Sequence, residues 1–565
     1  MSERNAFLFE VAPHHDARLP EVGHGLGRWR ASLYLLLAVL LSAGVILVPL
    51  CATVVISFSE GAAGYDVLLS DQVRQSLGNS FLWLVLAVVV CAAGLGLAWL
   101  TRGADPALSS VLRFLLVLPA VVSPLTTGAI FRLLFDTNHQ RGLVNAVLGT
   151  DVAFLGPVWI WLVVGLAFVW QWGGVAFLVF HEALARLPTH LLRMTRAFGV
   201  RRQRRVWSVV VPALAGPAAL AYLFALVAAA RVFDMVLMAA PGSVQAEVEG
   251  GGLFWWRHHG DLGAARASAL SVGLSLIVAV MAAPALFGLR MRGSRPEPVP
   301  GPAPRRSWRV RLLCVAISVV WVLPFAVLVL TSLRDPTAAA LSGWWSGGPW
   351  TLGSYAQVLT DGGFTGAFAT TLLRAVVVVG LVLLAAVPAA YVLAHERLMP
   401  RRAWRPALLV AVALAALPPQ AFAVPLQRWL SPVIGTAPAL TIVHAALVIP
   451  LAVLVLHNAF LRVPAPMLAR DRWELVHVVR EARPAVVLAA VLAFVLVWND
   501  MIVGLLLNWP AGDHLPLILL EESRHFMSAA ATLAAQSVIA TAVPVIMVLA
   551  TRRRLYQGLT QGVRG

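Results

Sequence analysis

Three consecutive aromatic and polar residues interrupt a long apolar run near the end of the chain. Trp498, Asn499 and Asp500 follow the almost wholly aliphatic segment 484–497. An ionisable group inside a membrane-spanning helix costs about 2.5–3.5 kcal/mol on insertion scales, so such a residue is a functional candidate. An indole face beside an amide and a carboxylate suits a sugar, whose C–H face stacks and whose hydroxyls need hydrogen-bond partners. The three residues are predicted to line a substrate path.

A second polar interruption lies earlier in the chain, where Arg231, Phe233 and Asp234 fall inside another apolar run. Residues three apart on a helix share a face, so Arg231 and Asp234 are expected to form either a self-neutralising pair or part of a substrate site. Both interpretations stay open. Phe233 and Asp234 are included in the predicted substrate path.

A third cluster consists of Trp170, Gln171 and Trp172. Its aromatic and amide groups are like those of the first cluster, which favours substrate contact by Trp170 and Gln171. The alternative is that the tryptophans anchor a helix at the membrane–water interface.

The composition excludes several classes of protein. Of 565 residues, 60% are hydrophobic and only 12% are charged, against about 25% charged residues in soluble domains. Lysine is absent, which excludes a self-contained P-loop ATPase. The three cysteines lie in apolar runs and the histidines form no HExxH motif, so no disulfide framework, metal site or catalytic residue is predicted.

The hydropathy pattern predicts an all-α, polytopic transmembrane helical bundle. A helix needs about 20 apolar residues to cross a bilayer. Twelve candidate spans meet this length, near residues 32–57, 81–100, 108–131, 157–180, 209–239, 264–289, 311–332, 367–394, 405–427, 437–460, 484–508 and 531–551.

The charged residues, which give a formal net charge of +17, are distributed along the chain as the predicted topology requires. Arginines crowd into alternate loops, including 193–205, 291–307 and 552–554, while most carboxylates fall in the loops between them. Because basic loops stay in the cytoplasm, both termini are predicted to be cytoplasmic in a multi-pass protein of the bacterial inner membrane. Topology accounts for the charge, so no nucleic-acid partner is expected, and the lipid bilayer is the surrounding medium.

The spans divide into two sets of six that run in parallel. Both sets contain a Leu-Pro step, at Leu118 and Leu417, and both turn polar late, at Asp234 and Asp500. Parallel repeats are a transporter architecture with substrate near the midplane. The predicted organisation is a cytoplasmic arm at 1–30, a first half at 31–290, a Pro/Arg-rich linker at 291–307, a second half at 308–555 and a tail at 556–565.

Several segments together resemble the permease subunits of a maltose-type carbohydrate ABC importer, here joined end to end. The first half carries LLVLPAVVSPLTTGAIFRLLFD (115–136), FDMVLMAAPG (233–242) and GDLGAARASALSV (260–272). The second carries LPPQAFAVPL (417–426) and VWNDMIVGLLL (497–507). The resemblance implies a substrate-translocating permease that binds no cofactor itself. The ATP and Mg²⁺ would lie on a separate dimeric ATPase subunit, and an extracytoplasmic solute-binding protein would deliver the solute.

In this family a cytoplasmic loop of each half docks on the ATPase. Gly199 and Pro212 stand at the family's spacing, but Arg193 occupies the position of its glutamate. The resemblance implies docking contacts in both loops, although arginines in a cytoplasmic loop need no partner to explain them. The second loop is shorter and lacks the glycine. The predicted docking residues are Leu187, Pro188, Arg193, Arg196, Gly199, Pro212, Val463, Pro464, Asp471, Trp473 and Glu474.

Three other interpretations remain. A fused permease for ferric iron or thiamine has the same tandem layout. A secondary transporter would explain the spans but not the spacing of Gly199 and Pro212. A polytopic membrane glycosyltransferase would need a large acid-bearing outer loop, whereas the outer loops near 58–80 and 333–366 carry few carboxylates. The preferred interpretation is therefore a transport component and not an enzyme.

Overall fold

The computed structural model describes residues 28–185, 187, 194–290, 308–394, 401–433, 436–461, 463, 474–507, 513–526 and 529–563. Within these ranges the chain is helical and contains no β-strand; a single isolated bridge pairs Arg334 with Trp350. The all-α prediction is confirmed. The predicted linker 291–307 and most of the N-terminal arm lie outside the described residues.

The α-helices vary from one turn to forty residues in length. Before the linker they are Arg28–Ser42, Val48–Ser57, Asp71–Leu100, Pro106–Val117, Pro124–Leu134, Leu143–Leu148, Ile160–Ala185, Arg202–Arg205, Val211–Ala230, Asp234–Ala239, Gln245–Val248 and Gly251–Arg290. After it they are Trp308–Ser332, Pro336–Leu341, Gly353–Thr360, Gly362–Ala394, Arg401–Ala416, Gln420–Leu430, Ala437–Phe460, Glu474–Glu481, Arg483–Trp498, Ile502–Leu506, Leu515–Ser523 and Ala530–Val563. Shorter 3₁₀ turns cover Gly61–Leu69, Leu118–Val121, Gly242–Val244 and Trp344–Ser346, and π-helical turns cover Ala43–Leu47 and Val206–Val210.

Many of the described helices are long and apolar enough to cross a membrane. Nine pass this test individually, and the number rises to twelve when each of three sharply bent pairs is taken as one span. Large aliphatic side chains point outward along them, for example Val55, Leu373 and Ile546. Such surfaces suit lipid, in which helices keep all their backbone hydrogen bonds internal. A multi-pass membrane protein is therefore supported.

Two of the predicted spans are broken in the middle. Pro106–Val121 and Pro124–Leu134 meet at 103°, and Pro406–Ala416 and Gln420–Trp429 meet at 85°. The continuous spans predicted at 108–131 and 405–427 were wrong in this respect. Proline explains both breaks, because it has no amide hydrogen and its ring clashes with the preceding helical turn.

Two further predicted spans end early. The helix expected over 209–239 stops at Ala230, and a short helix begins at Asp234. Phe233 between them has φ −148° and ψ −68°, outside the helical region. The helix expected over 484–508 likewise stops at Trp498. Both polar interruptions found in the sequence are therefore places where the helix itself is interrupted.

Close helix packing depends on glycine at one contact. A Cβ atom added to Gly174 would lie 1.6 Å from the backbone oxygen of Leu116. Helix Ile160–Ala185 therefore touches the backbone of Pro106–Val117 directly, an approach that only glycine permits. This contact holds the first broken helix against the core of the molecule.

One local arrangement occurs twice. The hydroxyls of Ser57 and Tyr65 lie 2.7 Å apart, and those of Ser332 and Tyr355 are also 2.7 Å apart. Each serine ends a long helix, and each tyrosine lies shortly before the next one. In each case that next helix packs against a later long helix, Asp71–Leu100 against Ile160–Ala185 and Gly362–Ala394 against Ala437–Phe460. The two parts of the chain repeat this element order.

Candidate functional site

The polar residues at 499–500 lie where helix Arg483–Trp498 ends. The Asn499 side-chain amide donates a hydrogen bond of 3.0 Å to the backbone oxygen of Val121, which lies at the first helix break. Asp500 accepts a 3.0 Å hydrogen bond from the backbone amide of Val503, in the first turn of the short helix that follows. Its Oδ2 atom is also 3.1 Å from Nε2 of His444 on a neighbouring long helix. The interruption therefore joins three separate parts of the fold.

A buried histidine and arginine extend this cluster. Nε2 of His514 lies 2.6 Å from the backbone oxygen of Asp500, and its Nδ1 lies 3.0 Å from Nη1 of Arg374. Arginine only donates hydrogen bonds, so Nδ1 must accept and Nε2 carries the proton that binds the Asp500 oxygen. Both ring nitrogens are therefore occupied, and helix Gly362–Ala394 is tied to residues 500–514.

The charged residues of the earlier interruption lie within electrostatic range of Asp500. Arg231 and Asp234 both interact electrostatically with its carboxylate. The expectation that Arg231 and Asp234 share one helix face is wrong, because the helix ends at Ala230 and resumes at Asp234. Among the described residues no ion pair of 4 Å or less joins these two. The carboxylate that interacts electrostatically with Arg231 is therefore Asp500, from the other interruption, and not a neighbour on the same helix.

The aromatic residues of the predicted substrate path are packed inside the protein. Trp498 is buried, its Nε1 donates to the backbone oxygen of Ala540 at 3.0 Å, and its ring stacks 5.5 Å from that of Phe494. Phe233 is buried with its ring 5.5 Å from that of Trp256. Neither ring presents an open face in this conformation.

Trp170 and Gln171 contact two different helices. The Trp170 indole donates to the backbone oxygen of Trp321 at 2.9 Å, and the Gln171 amide donates to Val122 at 3.0 Å. Both side chains are buried, so interfacial anchoring does not describe Trp170. The side chains of Gln171 and Asn499 therefore donate hydrogen bonds to two consecutive backbone oxygens, those of Val122 and Val121, at the break of the first bent helix.

Five residues of this site were not found by sequence analysis. His444, His514, Arg374 and the carbonyl-bearing Val121 and Val122 become part of it only through folding. Arg374 carried a usable signal, since a charged residue inside a predicted span is a functional candidate. The carbonyls of Val121 and Val122 carried no such signal. The type of an aliphatic residue does not indicate that its backbone oxygen lies outside the hydrogen bonding of a helix.

The first predicted docking loop is partly described. Gly199 adopts φ +68°, a left-handed turn conformation that favours glycine. Around it Met194, Phe198 and Trp207 are exposed, Phe198 by 79% and Trp207 by 72%. Arg196 is also exposed, whereas Leu187 is buried. Three large apolar side chains are therefore exposed in the segment 194–207, named here the apolar patch, and the sequence reasoning had overlooked them in favour of the arginines.

The other loop positions are less completely defined. Pro212 lies in the first turn of Val211–Ala230, as expected, although a π-helical turn runs directly into that helix. In the second loop Val463 is half-buried and Glu474 begins helix Glu474–Glu481. Five predicted docking residues lie outside the described residues: Pro188, Arg193, Pro464, Asp471 and Trp473.

Comparison with known proteins identifies the relationship of the first half. Residues 91–290 match the family model described as binding-protein-dependent transport system inner membrane component. Over this part of the chain, the resemblance to an inner-membrane component of a sugar ABC importer, predicted from the motifs, is confirmed. The match includes the first broken helix, Trp170 and Gln171, the Gly199 turn and Asp234.

Individual relatives are distant. The alpha-glucoside transport system permease protein AglF of Rhizobium meliloti is 24% identical over 229 residues, which are 39% of this chain and 68% of AglF. The sn-glycerol-3-phosphate transport system permease protein UgpA of Agrobacterium fabrum is 27% identical over 162 residues, 27% of this chain and 54% of UgpA. Among solved structures, a bacterial ABC transporter involved in the import of the acidic polysaccharide alginate covers 46% of this chain and 94% of its own, with 17% identity and a TM-score of 0.39.

Proposed function

We propose that this chain is the membrane-spanning permease of an ABC importer, with two permease halves fused in one polypeptide. The observation that carries the proposal is the family match over residues 91–290. The solute is proposed to be a carbohydrate or a related polyol, because relatives are named for transport of alpha-glucosides and arabinooligosaccharides. In this proposal both termini are cytoplasmic.

The second half is proposed to repeat the first. Three features support this proposal: paired broken helices, bent by 103° and 85°; the recurring Ser–Tyr hydroxyl contact; and a helix that ends just before an aspartate, at Asp234 and at Asp500. The number of spans reaches twelve if each bent pair is one span, and in this proposal they form two parallel sets of six.

The substrate path is proposed to run between the halves, beside the helix breaks. Transporters commonly form substrate sites at discontinuous helices, because the break frees backbone groups near the midplane. Here the side-chain amides of Asn499 and Gln171 donate hydrogen bonds to the backbone oxygens of Val121 and Val122. We infer that these contacts close the path in the present conformation. The Asp500 carboxylate, next to Asn499 in sequence, would stabilise the closed arrangement through its contacts with His444 and Val503.

The exposed patch of Met194, Phe198 and Trp207 is proposed to contact the ATPase. In the proposed topology this turn lies outside the bilayer, where exposed large apolar side chains mark contact surfaces. The turn lies on the side of the molecule that also carries Arg201, Arg204 and the basic 552–554 segment in the predicted topology. The ATP-hydrolysing chemistry would belong entirely to that partner.

Purification of the chain from its host membrane tests the proposal. An ATPase subunit and an extracytoplasmic binding protein are expected to co-purify, and the binding protein is expected to bind sugars. A binding protein selective for ferric iron or thiamine would favour the corresponding fused permease. Uptake that stops with a proton ionophore and needs no ATPase would indicate a secondary transporter, and sugar transfer to a lipid would indicate a glycosyltransferase.

A further inference from the structure

The helix that leads into the predicted docking loop packs along the broken helix. Helix Ile160–Ala185 ends shortly before Leu187, where that loop begins. At its midpoint it meets the helix break, because the Gln171 amide donates to the backbone oxygen of Val122 at 3.0 Å. One turn further, the backbone of Gly174 approaches the first segment of the broken helix too closely for any side chain. One helix therefore contacts the break and ends at the loop.

An ion pair joins the same two helices close to the loop. Nη1 of Arg113 lies 3.1 Å from Oε1 of Glu182, and the two side chains are 27% and 14% exposed. Nε and Nη2 of Arg113 also donate to Oγ of Ser109, at 3.3 and 3.2 Å. The same hydroxyl lies 3.3 Å from Nε2 of His181, the neighbour of Glu182. Four side chains therefore fasten the end of one helix to the start of the other.

The ion pair and the contact at the break lie on one face of helix Ile160–Ala185. Gln171 and Glu182 are about three turns apart, or about 16 Å along the helix axis. Arg113 lies inside a predicted span, where an ionisable residue is costly and is a functional candidate. Removing one partner of a largely buried pair leaves an uncompensated charge. The pair therefore resists separation of the two helices near the loop.

We propose that the Arg113–Glu182 ion pair couples the docking loop to the helix break. Given the proposed importer function, on which this inference rests, the ATPase displaces the loop and the two helices follow as one unit. The motion reaches the backbone oxygen of Val122, where Gln171 closes the proposed path. Energetic coupling between distant sites can be carried by packed side chains, ion pairs and rigid helices. Arg113 and Glu182 act through these helices and are positioning residues.

A second ion pair offers a matched control. Nη1 of Arg257 lies 3.0 Å from Oε2 of Glu249, and these side chains are 30% and 7% exposed. The distance and the burial are close to those of Arg113 and Glu182. In the proposed topology the control pair lies near the extracytoplasmic surface, away from the docking loop. Its loss should disturb the protein locally without affecting the coupling.

The test uses the full chain in lipid nanodiscs with its co-purified ATPase, and it needs no identified solute. The probe is the thiol introduced by Val122→Cys, at a position that is only 1% exposed, in a chain whose Cys51, Cys91 and Cys314 are changed to alanine. Its rate of reaction with a small charged thiol reagent is measured with the ATPase free and with the ATPase trapped by ATP and vanadate. We expect trapping to raise the rate at least about fivefold, the lower end of typical coupling between sites, because the break opens.

Variants of the ion pair should remove this rise. Arg113→Glu and Glu182→Arg each place like charges opposite one another, so the two helices no longer move together. The double reversal should restore most of the rise, since residues in contact are non-additive. Glu182→Gln keeps the side-chain shape and should also lose the rise, so it decides the outcome if a charge reversal does not fold. Glu249→Gln is its control and should keep the full rise.

Three results would overturn the proposal: a rise that persists in Glu182→Gln, a rise that disappears equally in Glu249→Gln, or a labelling rate that trapping leaves unchanged in the chain with the native ion pair. Thermal unfolding of each variant shows that it is folded. Failure of the proposed function is a different result, because no ATPase would then co-purify with the chain.

Discussion

The side-chain amide of Asn499 donates a 3.0 Å hydrogen bond to the backbone oxygen of Val121, although 378 residues separate them in sequence. Val121 ends a 3₁₀ turn in front of a 103° bend, where its carbonyl is released from regular helix bonding. A polar residue at the end of one helix thereby satisfies a backbone group at the break of another. This contact joins the two proposed halves at the proposed substrate path.

Asn499→Leu tests this contact. The substitution keeps the side-chain volume but removes the donor, so the Val121 carbonyl loses its partner. A loss of about 1–3 kcal/mol of stability is expected for an unsatisfied buried polar group, and solute uptake should change as the closed state weakens. Thermal unfolding in detergent and uptake in vesicles measure the two effects. The exposed Gln357→Leu is the matched control, and equal behaviour of both variants would argue against the role of this bond.

Asp500→Asn tests the charge at the centre of the cluster. The amide keeps the shape of the carboxylate and one acceptor oxygen, but it removes the negative charge beside His444 and Arg231. We expect unfolding to become easier by about 1–3 kcal/mol and uptake to fall, with membrane insertion unchanged.

Arg231→Leu in the same background should recover part of the lost stability, because neighbouring groups that interact are non-additive. Asp71→Asn is the control, since Asp71 forms an exposed ion pair with Arg74 and such pairs contribute little. A double variant that is merely the sum of its parts would show that Arg231 and Asp500 are uncoupled.

Trp207→Ala tests the proposed ATPase contact. Trp207 is 72% exposed, so its removal should leave the thermal stability of the chain nearly unchanged. If the ring docks on the ATPase, solute-stimulated ATP hydrolysis by the reconstituted complex should fall at least about tenfold, as for an aromatic residue central to an interface. Trp308→Ala removes an equally exposed indole, 71%, from outside the patch. Equal rates of ATP hydrolysis in the two variants would show that the patch does not contact the ATPase.

Gly174→Ala tests the packing that supports the helix break. The new methyl group would lie 1.6 Å from the Leu116 oxygen, so the two helices must separate. A loss of at least about 1–3 kcal/mol is expected from overpacking, visible as a lower midpoint of thermal unfolding and a lower yield of folded protein. Gly78→Ala is the control, because its methyl group would meet no atom within 4 Å and alanine favours helix by about 1 kcal/mol. A stable Gly174→Ala protein would contradict the close approach.

Much of the fold followed from the chain alone, because hydropathy depends on residue type and on run length. The apolar runs predicted the long helices and the membrane environment. The polar interruptions at Asp234 and Asp500 indicated special positions, and the motifs indicated the permease family. Proline marked both bent helices, but its presence did not reveal the size of the bends. Straight apolar runs were therefore predicted where the chain turns sharply.

The site itself was decided by tertiary contacts. The residue types of Asn499 and Gln171 in apolar runs predicted that their amides matter, but their partners are backbone oxygens of two valines, and a carbonyl has no sequence signature. One of the two interpretations of Arg231 and Asp234, a pair formed through helical spacing, fails because the helix ends between them. Sequence determined which groups need partners, because burying a polar group without a hydrogen bond is costly. Only folding decided which groups meet, because distances between remote segments depend on where the helices bend.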